Sequence, residues 1–458
     1  MGDVCHIQRL PTELYIEVFC FIAQDMKRKL AGRHVRVAPW QLGHVCHTWR
    51  TIAHGYPQLW SCITIDYSTQ AVICPVASPI RLPGRVDIEY PLTWLQTQLT
   101  LSGDVPLVVR FRLDHAKLED SHHLIALFDL CVVHSRRWEH LTIAVENSLG
   151  FSIFHGIARV RGLLDRLQSL HIIGHSEWEP ELNNVFSNTP CLRNAALPSP
   201  RIAISWQQLT RLEIHANVEE LLGIASCVRE NLEELVYGNT SNVFTHSHPV
   251  ATLPRLRQLS LTLHDDVLQY LLAPCLEALA LDAYVNHVAG FVYRSGCNVQ
   301  SLSFACLCPP IEMIDVSAIF RSVGGLRSLR ISIRIEDTED EDAEIDDEDH
   351  YDQQVEILVV KPPTSKDLCP NLVLLQIDSL VYEYAKPMGA SLCNMLESRW
   401  GSPHSTLKTV RIPDLYHSPS VWERLTVLKS QGLDIEDLDN LAPDSDSDSD
   451  EDWIYSHE

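Results

Sequence analysis

One short pattern governs most of this chain: an apolar residue, two spacers, a second apolar residue, one spacer and a third. It reads LQSLHI (Leu167, Leu170, Ile172), LTRLEI (Leu209, Leu212, Ile214), LEELVY (Leu232, Leu235, Tyr237) and LRQLSL (Leu256, Leu259, Leu261). It continues as LEALAL (Leu276, Leu279, Leu281), VQSLSF (Val299, Leu302, Phe304) and LRSLRI (Leu326, Leu329, Ile331). LVLLQI (Leu372, Leu375, Ile377) and LKTVRI (Leu407, Val410, Ile412) complete the clear copies. Weaker copies are WEHLTI (Trp138, Leu141, Ile143) and LRNAAL (Leu192, Ala195, Leu197).

The first positions recur at Leu167, Leu192, Leu209, Leu232, Leu256, Leu276, Val299 and Leu326. These steps are close to the roughly 20–29 residues of a leucine-rich repeat. The last two apolar positions alternate on a short strand, while the first anchors the turn leading into it. Between copies lie helix-like runs such as VEELLGIASCVRENL and DVLQYLLAPCL. A strand plus a helix cannot bury its apolar face alone, so the units must stack. The expected fold class is therefore α/β: an irregular leucine-rich-repeat solenoid, parallel strands on its concave face and helices outside, behind a short all-helical N-terminal domain. The expected divisions are a helical domain at 1–66, a linker and the N-terminal part of the repeat domain at 67–136, the solenoid at 137–435 and an acidic tail at 436–458.

The net charge of −24 is concentrated in two places. Residues 336–352 hold 12 acidic and no basic residues, and residues 444–458 hold 7 more. Removing these 19 leaves −5 on the rest of the chain, an ordinary surface. The first run falls in the long gap between Leu326 and Leu372 and reads as a solvated loop. Ser445, Ser447 and Ser449 each have an Asp three residues later, which suits an acidophilic kinase. Arg327, Arg330 and Arg334 directly precede the acidic loop, which suggests that the loop covers a basic patch and competes with an acidic or phosphorylated substrate.

This distribution argues against nucleic-acid binding, which needs clustered Lys and Arg. No run of 18 apolar residues predicts a membrane span. The opening MGDVCHIQRLPTEL lacks the basic and apolar regions of a secretory signal, and His6 stands where a myristoylation motif wants Ser or Thr. The 14 cysteines are scattered, with no C-x-x-C, and read as reduced core thiols. His44, Cys46, His47 and His54 have no second ligand pair at finger spacing, so no metal is expected. No nucleophile-elbow, phosphate-loop, zincin or dinucleotide motif is present; the chain reads as a non-enzyme without cofactors, cytoplasmic and/or nuclear.

Ahead of the repeats, LPTELYIEVFCFIAQ predicts a helix with Pro11 near its first turn. Leu14, Tyr15, Ile16, Val18, Phe19, Phe21 and Ile22 run most of the way round it, so it must be covered on more than one face. Leu42, Val45, Cys46, Trp49, Ile52 and Ala53 then mark one face of a second helix of about three turns, ended by Gly55 and Pro57. Roughly 60 residues of short helices cannot hide all these groups among themselves.

LPTELYIEVF followed by LGHVCHTWRTIAHGYPQLW resembles the F-box motif over roughly Ile7 to Ile65. With PQLWSCITID, LTLSGDVPLVVRF and RWEHLTI, the chain is similar to F-box proteins with leucine-rich-repeat-like domains of mushroom-forming fungi. It departs from them in the long Lys- and Arg-rich stretch Gln24–Pro39, which implies an insertion loop. The resemblance implies a substrate receptor that docks on the Skp adaptor, and through it a cullin, in a ubiquitin ligase. Its adaptor-facing positions would be Leu10, Pro11, Leu14, Ile16, Phe19, Leu42, Val45, Cys46 and Trp49, with Trp60 at the junction to the next domain. Substrate would lie on the strand face at Arg211, Glu213 and His215, at Gln258, Ser260 and Thr262, and at Ser328, Arg330 and Ser332. The alternative is a repeat scaffold with no role in ubiquitin transfer.

Overall fold

The computed structural model describes residues 10–29, 38–66, 92–113, 121–145, 154–174, 183–240, 249–262, 266–282, 287–308, 316–335, 369–379, 385–401, 406–412 and 419–436. The acidic run 336–352, the end of the tail with Ser445, Ser447 and Ser449, and the centre of the Gln24–Pro39 stretch lie outside them. The chain divides into two compact units, Met1–Ala216 and Asn217–Glu458. Both are mixed α/β, and their main strands run parallel.

The first unit opens with three helices, α1 (Thr12–Lys29), α2 (Ala38–Val45) and α3 (His47–His54). The single helix expected over Leu42–Ala53 is thus two. The break is at Cys46, whose extended backbone (φ −158°, ψ 171°) starts α3 anew while its Sγ accepts from the Trp49 N–H at 3.4 Å. The stretch read as an insertion loop is helical at both ends, because α1 runs on to Lys29 and α2 begins at Ala38. Tyr15, Phe19, Leu42, Ala53, Leu59 and Trp60 form the helical core. The Phe19 and Trp49 rings lie 4.9 Å apart, and those of Trp40 and Trp60 lie 4.8 Å apart.

Six parallel strands follow: β1 (Cys62–Asp66), β2 (Leu107–Arg112), β3 (Trp138–Val145), β4 (Ser169–Gly174), β5 (Asn194–Leu197) and β6 (Arg211–Ala216). Each pairs with its neighbour in sequence. The strand series starts at Cys62, inside the segment assigned to the helical domain, and continues with β2 in the segment read as a linker and the N-terminal part of the repeat domain. Trp60 joins the two parts: its Nε1 donates to the Ala53 carbonyl at 2.7 Å. Buried Gln98 of α4 (Leu92–Leu101) donates to the carbonyls of Trp60 and Cys62 at 3.2 and 2.8 Å. Phe128 of α5 (Ser121–Val133) packs 5.1 Å from Phe111 of β2, so this helix lies on the apolar side of the strands.

The second unit begins with α6 (Val218–Val228), closed by a reciprocal capping box between Asn217 and Glu220. Its strands are β7 (Glu234–Asn239), β8 (Ala251–Thr252), β9 (Gln258–Thr262), β10 (Leu271–Leu272), β11 (Ala278–Leu281), β12 (Ser301–Cys308), β13 (Ser328–Ile335), β14 (Leu374–Ser379), β15 (Thr409–Arg411) and β16 (Asp434–Glu436). β8 and β10 pair only with each other; the remaining eight form a parallel series. Four further helices are α7 (Val288–Ser295), α8 (Val316–Ser322), α9 (Ala385–Trp400) and α10 (Pro419–Ser430).

All eleven copies of the apolar pattern fall on strands, with their three apolar positions buried. The first position acts as expected, at the turn. The residue after it donates its N–H to the matching carbonyl of the preceding copy, as Arg193 does to Gln168 and Arg257 to Glu233, both at 2.8 Å. What joins the copies varies. The intervals Leu209–Leu232, Leu276–Val299 and Val299–Leu326 carry α6, α7 and α8. The two shortest, Leu192–Leu209 and Leu256–Leu276, are bridged by 3-10 turns at Trp206–Gln208 and Asp266–Tyr270. DVLQYLLAPCL is therefore not the helix its composition suggests: a 3-10 turn climbs about 2.0 Å per residue against about 1.5 Å for an α-helix, and covers the gap with fewer residues.

Candidate functional site

Two surfaces of the first unit carry side chains without an evident internal task. The first is on the helices. Tyr15 and Phe19, four residues apart on α1, point inward, and Phe19 is 0% exposed. Leu14, Val18 and Phe21 fall at i, i+4 and i+7, which is one line along the other side of the helix, and Leu10 precedes its first turn. All four are exposed, Val18 by 42% and Phe21 by 71%. Val45, at the end of α2, is 60% exposed.

Of the nine positions expected to face an adaptor, Leu10, Pro11, Leu14, Val45 and Cys46 are exposed, and Ile16 and Trp49 are half-buried. Phe19 and Leu42 require correction: at 0% and 5% exposure they belong to the helical core and hold the face from behind. Val18 and Phe21 were not among the nine, although at i+4 and i+7 from Leu14 they share its side of the helix.

The second surface is on the strands, on the side away from the buried leucines. There the register sets His171, Ala196 and Glu213 in one row across β4, β5 and β6. Parallel strands are about 4.8 Å apart, so the backbones of His171 and Glu213 are separated by about 10 Å, with only a methyl group between them. This leaves a pocket of about 320 Å³, floored by Ala196 and Pro198 and walled by His171 and Ile173 on one side and Glu213 and His215 on the other. Gly174 closes one corner in a left-handed conformation (φ +137°), where a Cβ would lie 1.9 Å from the Val145 carbonyl oxygen. No larger residue fits there without moving β3.

Burial pushes the His171 pKa below its ordinary value; Glu213 draws it up and Arg211 drives it further down. The imidazole is therefore neutral at pH 7 and can both donate and accept. Among the described residues, Glu213 is the only carboxylate lining the pocket.

The structure thus brings Glu213 and His215 together and sets Arg211 one row back on the same strand. His171 was not anticipated, yet it holds in LQSLHI the place that Glu213 holds in LTRLEI. In the second unit, Gln258, Ser260 and Thr262 on β9 and Ser328, Arg330 and Ser332 on β13 also escape burial. They are not brought together, because β11 and β12 stand between them. One row runs Ser260, Ala280, Ser303, Arg330, Gln376, Arg411, a polar strip rather than a pocket. Arg334 lies on β13 and Arg327 just before it, beside residues 336–352, which are outside the described residues.

Among the described residues no helix is long and apolar enough to cross a membrane, and no group of three or more His, Cys, Asp or Glu could hold a metal ion. No family model matches the chain, and no curated protein matches it.

Proposed function

We propose that this chain is an F-box substrate receptor: the N-terminal helices dock on the Skp adaptor, and the strand face, read as that of an irregular leucine-rich-repeat solenoid, recruits a protein to a cullin ubiquitin ligase. The observation that carries this reading is the exposed line Leu14, Val18 and Phe21, with exposed Leu10 just ahead of it, on a helix whose other side already fills a core. Apolar burial is worth about 25 cal/mol per Å², so leaving this line in water is costly unless a partner covers it. A helix presenting i, i+4 and i+7 anchors fits a groove on another protein. The residues that would meet the adaptor are Leu10, Pro11, Leu14, Val18, Phe21, Val45 and Cys46, with Ile16 and Trp49 at the margin.

The test is co-expression with the Skp adaptor, comparing wild type with a Leu14→Ser, Phe21→Ser double variant. A stoichiometric complex that disappears in a variant of unchanged thermal stability supports the reading. A folded wild type that captures no adaptor overturns it and leaves a repeat scaffold outside ubiquitin transfer.

A further inference from the structure

The pocket between β4 and β6 has a composition that selects among ligands. Its floor, Ala196 and Pro198, and one wall residue, Ile173, are apolar; Ile173, near the end of β4, is 46% exposed. The opposite wall carries one carboxylate, Glu213. His171, held neutral by burial, adds no positive charge beside it. A volume of about 320 Å³ is at the lower end of small-molecule pockets, and suits one or two amino-acid side chains better than a cofactor.

We infer that this pocket receives a lysine or arginine side chain of a bound polypeptide. The aliphatic stem would lie along Ile173 and Pro198, and the cationic head would reach Glu213, with His171 and His215 supplying hydrogen-bonding nitrogens beside it. Long basic side chains are built this way, with an apolar stem and a charged tip. A carboxylate or phosphate would instead meet Glu213 at close range, a like-charge contact that favours rejection. The pocket lies towards the C-terminal ends of β4 and β5 with a small residue at its centre, and an extended peptide crossing it sends every second side chain to the same face. This rests on the reading of the strand face as a substrate-binding surface, and gives that surface a charge preference opposite to the one suggested by Arg327, Arg330 and Arg334.

The experiment uses the full chain in about 150 mM salt, where exposed charges more than about 8 Å apart are largely screened. The probes are fluorescein-labelled nonapeptides of Ala and Ser carrying Lys at alternate positions, or Glu or norleucine at the same positions. The proteins are wild type, Glu213→Gln, which removes the charge and keeps the shape, and Ala196→Leu, which fills the floor and keeps the charge. The expected result is binding of the Lys peptide to wild type, weakened about tenfold or more in each variant, with little binding of the Glu and norleucine peptides. Lys-peptide binding unchanged in both variants places it on the acidic segments elsewhere and overturns the inference. So does no binding, or binding of the Glu peptide to wild type as tight as that of the Lys peptide. Adaptor capture, measured on the same preparations, separates the two ideas. Adaptor bound without the Lys peptide removes only the pocket assignment; the Lys peptide bound without adaptor removes only the receptor reading.

Discussion

In β6, Leu212, Ile214 and Ala216 point one way and are buried, while Arg211, Glu213 and His215 point the other and are not. In α1, Tyr15 and Phe19 are buried, yet Leu14, Val18 and Phe21 on the other side are just as apolar and stand in water. The two elements use apolar residues differently. The strand's apolar residues meet their counterparts on the preceding strand, Leu212 beside Ala195 and Ile214 beside Leu197. The helix has one apolar line that the described residues leave exposed. The proposed docking on an adaptor would use that excess.

The largest expected effects sharpen this contrast directly. Phe19→Ala should cost about 3–5 kcal/mol in urea denaturation, because it empties the helical core, whereas Phe21→Ala should change stability by under about 0.5 kcal/mol. Equal losses at the two positions would mean that the outer line is packed within the chain. Next, Leu212→Ala should cost about 2–5 kcal/mol, while Glu213→Gln, its neighbour on the other side of β6, should cost almost nothing in the same assay. A smaller loss, about 1–2 kcal/mol, is expected for Trp60→Phe. That change removes the Nε1 bond to the Ala53 carbonyl at 2.7 Å and opens a modest space under Trp40.

The smallest effect concerns pH. The Arg424 guanidinium, bonded to Glu397 at 2.7 and 2.8 Å, holds that carboxyl below its ordinary range. A lowered folded pKa adds stability that is present above the ordinary carboxylate range and is lost as pH falls through the lowered value. The pair joins α9 to α10 and is partly exposed, so solvent screening keeps its share below about 1 kcal/mol. Wild type and Glu397→Gln should differ slightly at pH 7 and converge in acid as the carboxyl takes up its proton; a gap that does not narrow as pH falls would place the effect in packing instead.

The strands bearing the repeated pattern were legible because alternation is local: in Leu167, Leu170 and Ile172 the spacing alone states which side chains share a face. β2 alternates as cleanly over Leu107, Val109 and Phe111, but no anchoring leucine opens it in the same register, and β1 sits against the helices in sequence, so neither stood out. On α1 the apolar content was legible and its division was not. Seven apolar residues nearly encircle the helix, and only the positions of Trp49, Leu42 and Trp60 show that the side of Phe19 is the inner one.

The same boundary applies to the pocket. That Glu213 and His215 leave the core follows from the period of a strand, which the sequence carries residue by residue. That His171 joins them across Ala196 depends on the register between β4, β5 and β6, which the unequal intervals Leu167–Leu192 and Leu192–Leu209 do not state. Which side of a strand or helix a residue occupies is a property of the local backbone repeat. Which residues then meet is set by packing between distant segments, through hydrogen-bond register and ring contacts that exist only once the chain has folded.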